Sequence, residues 1–257
     1  MKKLIALAAT AACGAALAVE SANIVGYATQ DVSGEGSVYN IAGFCFANTG
    51  LDGKATFSDL TATGWDWEGD ELRILNPANC ANSQVLIWLT KEEALEFEVG
   101  DKAGWYDSTS VEYQGNAQFD MGTGFMTSLS SKGVNFQYSG QVYNQAFSIS
   151  CAGKVYVIVP NALPRNLKMS EVTATGWDWE GDELRVLNPA NCANSQVLIW
   201  LTKEEALEFE VGDKAGWYDS TSVEYQGDLT VVPGNGFMTS LSSSNVIINM
   251  PAAIPAE

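Results

Sequence analysis

No histidine occurs among the 257 residues of this chain. That absence excludes Ser-His-Asp triads, histidine proton shuttles and histidine-ligated zinc. Any catalysis would have to rest on carboxylates, lysine, tyrosine or a Ser-Lys pair. Basic residues are also scarce: 13 Lys and Arg stand against 31 Asp and Glu, a formal charge of −18. Such a surface repels nucleic acid and anionic membranes and favours cations or basic partners. There is no CxxC spacing for a thiolate metal site, and no Gly-rich loop followed by Lys-Ser/Thr for phosphate. Beyond the N-terminal segment, no run approaches the ~20 apolar residues needed to span a bilayer. Hydrophobic residues nonetheless make up 46% of the chain, enough to bury a core and to argue against disorder.

Lys2 and Lys3 precede an uncharged stretch from Leu4 to Ala18, and Ala16-Leu17-Ala18 supplies small residues for cleavage. This pattern predicts a secretory signal peptide over residues 1–18, with Ala22 as a second cleavage point. Cys13 makes a weak lipoprotein acceptor, because Thr10 stands where a large aliphatic residue is usual. The expected mature chain is secreted, whether extracellular, periplasmic or at the cell surface. Without Lys2 and Lys3 it keeps 11 basic residues against 31 acidic, a net charge of −20. At 257 less 18, or 239 residues, it is long for one domain and comfortable for two.

The most informative feature present is an internal copy. Residues 61–115 recur at 173–227, an offset of 112, and 54 of the 55 positions are identical; Ile74 against Val186 is the one difference. GTGFMTSLSS at 122–131 continues as GNGFMTSLSS at 234–243, whereas 116–121 and 228–233 share nothing. Such abrupt edges indicate recent duplication or gene conversion, so the identity is no evidence of a shared active site. Two units follow, 23–135 and 136–250, with a short tail at 251–257. Each exceeds the period of a solenoid repeat and should own a core.

Within a unit the pattern favours strands. Glu71 to Leu75, Gln84 to Leu89, Gly104 to Tyr106 and Gly124 to Thr127 are short, β-branched or aromatic, and bounded by Gly, Asn or Asp, with turn chemistry at Asn76-Pro77-Ala78-Asn79. This predicts an all-β fold of two tandem β-sandwich or barrel-like units. One segment differs: Thr90-Lys91-Glu92-Glu93 has capping-box form and predicts a short helix from 91 to about 96, against the strand-like alternation of Leu95, Phe97 and Val99.

Ser21-Ala22-Asn23-Ile24-Val25-Gly26-Tyr27 directly after a signal peptide resembles the start of uncharacterised exported proteins from some environmental and gut bacteria. Those chains run as tandem β-strand modules closing on a Gly-x-Gly-aromatic strand, which Gly122 to Phe125 and Gly234 to Phe237 match. Gly104-Trp105-Tyr106-Asp107 and its copy Gly216-Trp217-Tyr218-Asp219 also fit. The resemblance implies an exported all-β module of no established activity, so it carries over no catalytic residues. Many such chains add a C-terminal anchoring segment; this one ends Met250 to Glu257 without one.

Four groups of residues invite a site. Cys45, Cys80, Cys151 and Cys192 form an even set in an oxidising compartment; three pairings exist, with Cys45–Cys80 and Cys151–Cys192 the natural choice and buried thiols the alternative. All eight tryptophans lie in the copied block. Trp65 and Trp67, with Trp177 and Trp179, would share one strand face and could stack on sugar rings, as could Trp105-Tyr106 and Trp217-Tyr218; core packing is the competing explanation. Asp66, Glu68 and Asp70, and their copies Asp178, Glu180 and Asp182, alternate as calcium ligands do, so calcium is the one cofactor the pattern allows; solvated carboxylates are the default. A glycosidase carboxylate pair is nearly empty as a signal among 31 acids. The sequence therefore predicts a non-enzymatic, secreted or surface tandem β-repeat protein with a structural, adhesive or binding role. A carbohydrate-binding module built on the Trp pairs is the alternative, with a polysaccharide or cell-surface component as partner; a carboxylate-dependent glycoside hydrolase is third.

Overall fold

The structure is a computed structural model and describes residues 25–32, 38–75, 83–151, 156–187 and 195–254. The turn at 76–79, Cys80, Cys192 and the segment 1–24 lie outside the described residues. The fold is all-β and sandwich-like, built twice. In the first half, β1 (Val25–Asp31), β10 (Asn135–Gln141) and β4 (Leu60–Thr63) form an antiparallel sheet in the order β1-β10-β4. Facing it is a five-stranded antiparallel sheet. Its order is β2 (Val38–Gly43), β9 (Gly124–Leu129), β5 (Glu71–Ile74), β6 (Gln84–Leu89) and β7 (Gly104–Asp107). A ribbon of β3 (Lys54–Thr56) and β8 (Gln118–Asp120) completes it.

The second half repeats this order strand for strand. β11 (Phe147–Cys151), β20 (Val246–Met250) and β14 (Thr173–Thr175) make the small sheet. β12 (Tyr156–Pro160), β19 (Gly236–Ser240), β15 (Glu183–Val186), β16 (Gln196–Leu201) and β17 (Gly216–Asp219) make the large one, and β13 (Leu167–Lys168) with β18 (Thr230–Val231) make the ribbon.

Period-two alternation produces the core. Along β10, Phe136 and Tyr138 turn inward while Gln137 and Ser139 do not, and the Phe136 ring meets Phe125 and Trp105 of the opposite sheet. Leu86 and Trp88 of β6 face this core, while Ile87 and Leu89 face the other way, onto helix α1 (Lys91–Glu96). The capping box wins over strand alternation there because its bonds are local and reciprocal: Glu93 N donates to Thr90 Oγ1 at 3.3 Å, and Thr90 N donates to Glu93 Oε2 at 2.7 Å. Ala94 is then buried, and Val99 N closes the helix on Ala94 O. Helix α2 (Lys203–Glu208) repeats every one of these contacts.

Strand pairing moves the boundary between the halves. The sequence opens the second unit at Phe136, but β10 lies between β1 and β4 of the first half, just as β20 lies between β11 and β14. The division therefore falls in 142–146, between β10 and β11. The resemblance between the apolar runs beginning at Ile24 and Phe136 is one of strand composition, not of position. Of the tail at 251–257, Ala253 is buried and its carbonyl accepts from Arg165 Nε at 2.8 Å, so this part is packed onto the second half.

The register also aligns β2 with β12. Gly43 pairs with Gly124 and Pro160 with Gly236, two glycines 112 apart, so Tyr39 corresponds to Tyr156 and Ile41 to Ile158. The halves meet reciprocally along these strands. Ile158 lies on Gly124, and Ile41 lies on Gly236. A side chain at Gly43 would fall on the Pro160 ring, with Cγ only 2.6 Å from its Cβ. Gln30 joins the halves too, donating to Asn235 Oδ1 and accepting from Tyr138 Oη at 2.6 Å. The Gly-x-Gly-aromatic motif is thus a seam: its glycines let the opposite half rest on backbone. Gly124→Val is expected to lower unfolding free energy by about 2–3 kcal/mol through overpacking, while Gly50→Ala, on an exposed turn, changes it by less than about 0.5 kcal/mol. Urea denaturation of the two variants checks this.

Candidate functional site

The residues singled out from sequence do not converge on a site. Trp65 to Asp70 is a turn rather than a strand: Gly69 N and Asp70 N both donate to Asp66 O, at 3.1 and 2.8 Å. The turn sends the two indoles apart. Trp65 packs into the main core, edge-on to Trp105 at 5.0 Å between centroids, and its Nε1 is buried without an acceptor among the described residues. Trp67 goes to the satellite cluster under α1 and stacks edge-on against Phe97 at 4.8 Å. Trp177 and Trp179 repeat both placements. Trp105 and Trp217 are 0% exposed, and Tyr106 and Tyr218 are 1% exposed. Those four are core residues that no ligand touches. Trp105 Nε1 donates to Leu60 O and Tyr106 Oη to Lys102 O, both at 2.8 Å, which satisfies their polar atoms internally.

The carboxylates separate in the same way. Asp66 and Glu68 point to solvent, but Asp70 is buried. Its Oδ1 accepts from Ser130 N at 2.8 Å and Ser131 N at 3.0 Å, and its Oδ2 from Asp66 N at 2.9 Å. Asp178, Glu180 and Asp182 do likewise, with Asp182 bound by Ser242 N, Ser243 N and Asp178 N. Lone pairs already taken by backbone N–H groups are not presented to a cation, and no group of three ligating side chains occurs among the described residues. The calcium reading is corrected accordingly: Asp70 and Asp182 staple the turn to the end of the Gly-x-Gly strand.

The structure describes one cysteine of each expected pair. Cys45 and Cys151 are free thiols, both fully buried, while Cys80 and Cys192 lie outside the described residues. Burial pushes the Cys45 thiol up to about 12 and the Cys151 thiol up to about 11. The pairing register puts Cys151 where the first half has Val32, also fully buried. Cys45 stands two residues past Gly43, as Ala162 does past Pro160. Each cysteine therefore does the work of a small apolar side chain.

What the fold does bring together lies at the seam. The outward faces of β2, β9 and β5 meet those of β12, β19 and β15 across a cleft of about 520 Å³. Apart from Ser195, its lining comes in equivalent pairs. Met126 and Met238 are paired in register with Arg73 and Arg185, so these four share the sheet faces that open into it. Tyr39 and Tyr156 stand at its sides, 49% and 48% exposed, with Leu75 and Leu187 beyond. Each guanidinium is held by a carboxylate two residues back on the same strand face: Arg73 Nε and Nη2 both donate to Glu71 Oε2, and Arg185 does the same to Glu183. Two smaller cavities, about 120 and 240 Å³, share Leu187 and Leu75 with it respectively. All three draw their lining from both halves and so lie in the groove at the seam.

None of these residues stood out in the sequence, although a signal was present. Val38-Tyr39-x-Ile41 recurs as Val155-Tyr156-x-Ile158 at an offset of 117, five more than the copied block. Two of the three arginines in the chain belong to the cleft. By fold and site the chain is a pseudo-two-fold all-β protein with a cleft made jointly by its halves. Comparison with protein-family models, curated proteins and solved structures finds no match.

Proposed function

We propose that this chain is an exported, non-catalytic tandem β-repeat protein with an adhesive or structural role, and that it binds its target through the seam cleft. The observation that carries the reading is the convergence of Tyr39 with Tyr156, Arg73 with Arg185 and Met126 with Met238 on one opening. Half-exposed aromatics and arginines are the side chains that dominate binding energy at protein surfaces. The predicted leader at 1–18 supports export. Export would place the cleft outside the cytoplasm, where a target is met. The two halves act as one unit here, because the interlock of Ile41, Ile158 and Pro160 sets their relation.

The test is retention of the purified protein on envelope and matrix material of the producing culture. Tyr39→Ala/Tyr156→Ala should reduce retention by about tenfold or more while leaving the melting temperature within a few degrees, since both rings are half in solvent. Equal retention of variant and parent would take the binding surface away from the cleft.

A further inference from the structure

We infer that the seam groove holds a stretch of an uncharged glycan chain, with each half contributing the same set of side chains. The inference rests on the cleft being the binding surface and adds its ligand class. Three features of the groove point to it.

The first is charge. Each Arg in the cleft is matched by its own Glu, so the pairs Arg73–Glu71 and Arg185–Glu183 sum to zero. An anionic polymer would have to displace Glu71 and Glu183 and approach a chain of formal charge −18; a cationic one would have to displace the guanidiniums. A neutral ligand disturbs neither pair. The second is hydrogen-bonding geometry. Both bonds of each guanidinium end on one carboxylate oxygen, Oε2. The Arg and Glu side chains of both pairs stay about 40% exposed, so their remaining donors and acceptors face solvent. Donors and acceptors on one exposed pair suit hydroxyls, each of which both gives and takes a hydrogen bond. Tyr39 and Tyr156 add flat faces on which the C–H face of a pyranose can rest, above an apolar floor of Met126 and Met238.

The third feature is extent. Leu187 and Leu75 each line the central cavity and one smaller neighbouring cavity. A single sugar leaves such a groove mostly empty, whereas a chain fills it. Two equivalent half-sites offer one long ligand the same set of side chains twice. Engaging both at once raises apparent affinity well above that of either.

The experiment is affinity electrophoresis of the intact protein through soluble xyloglucan, mannan, starch and β-1,3-glucan, with polygalacturonate and chitosan as charged comparators. At least one uncharged polymer should retard the protein. Raising salt to about 0.5 M should change the apparent Kd by no more than about twofold. Tyr39→Ala/Tyr156→Ala and Arg73→Gln/Arg185→Gln should each weaken retardation by about tenfold or more, and either single Tyr change by less than the double. Circular dichroism confirms that each variant is folded. Retardation that persists undiminished in both folded double variants would place any glycan elsewhere and overturn the inference. Preference for polygalacturonate or chitosan would overturn the ligand class. So would binding to none of the six polymers while the Tyr variant still loses retention on envelope material, although the binding role of the cleft would then stand.

Discussion

Trp105→Ala should lower the unfolding free energy by about 3–5 kcal/mol, the cost of emptying a large aromatic site in a closed core. Trp105 is wholly buried and is the ring on which the first core turns: Trp65, Trp88, Phe57 and Phe136 all lie within 5.8 Å of it, centroid to centroid. Its Nε1 also satisfies Leu60 O, so the change leaves a buried carbonyl unpaired. Trp65→Phe provides the contrast. It removes an indole N–H that is buried without an acceptor among the described residues, a group that costs on the order of 1–3 kcal/mol, and this offsets the lost ring area. Trp65→Phe should therefore be close to neutral, although Trp65 and Trp105 are both tryptophans of the same block. Equilibrium denaturation of the two variants decides it; equal losses would mean that the indole N–H of Trp65 is satisfied after all.

Asp182→Ala should cost about 3 kcal/mol or more at neutral pH, because three backbone N–H groups lose their acceptor inside the protein. Glu180→Ala, whose side chain is in solvent, should change stability by less than about 0.5 kcal/mol. The pH dependence has a definite sign. Burial works against the Asp182 charge, but the N–H groups of Asp178, Ser243 and Ser242 outweigh it and hold the carboxyl below its ordinary 3.8. A depressed native value means that the unfolded chain binds the proton more readily. The stabilisation is then complete above about pH 4 and is lost as pH falls through the native value. The gap in melting temperature between parent and Asp182→Ala should stay constant from neutral pH to about pH 5 and narrow below about pH 4. Asp107, Asp219 and Glu171, also held low, steepen the acid loss in both proteins. Added calcium should leave the melting temperature unchanged, since a carboxylate already filled by N–H donors gains nothing from the ion.

Local signals were legible where the physics is local. The strand at Gln84–Leu89 and the helix at Lys91–Glu96 were readable from alternation and from the reciprocal Thr90–Glu93 bonds, which involve neighbours in the chain alone. Trp65 and Trp67 were misplaced because alternation cannot distinguish a strand from a turn of the same composition. What closes that turn is Asp70, bound to Ser130 and Ser131 sixty residues away. The packing role of the described cysteines was hidden for a similar reason: spacing and parity say nothing of whether a thiol replaces a Val, as Cys151 does. The candidate site was illegible because its signal, Tyr39 and Tyr156, sits outside the copied block and out of its register.

By itself the sequence determined the all-β class, the duplication, the acidity and the exclusion of histidine chemistry. Each of these follows from composition or from periodicity along one chain. Only the tertiary structure decided that the halves interlock and where their boundary runs. It also turned the prominent tryptophans and aspartates inward and opened the cleft beside Tyr39 and Tyr156. Those outcomes depend on which surfaces meet across more than a hundred residues, and no local pattern records that.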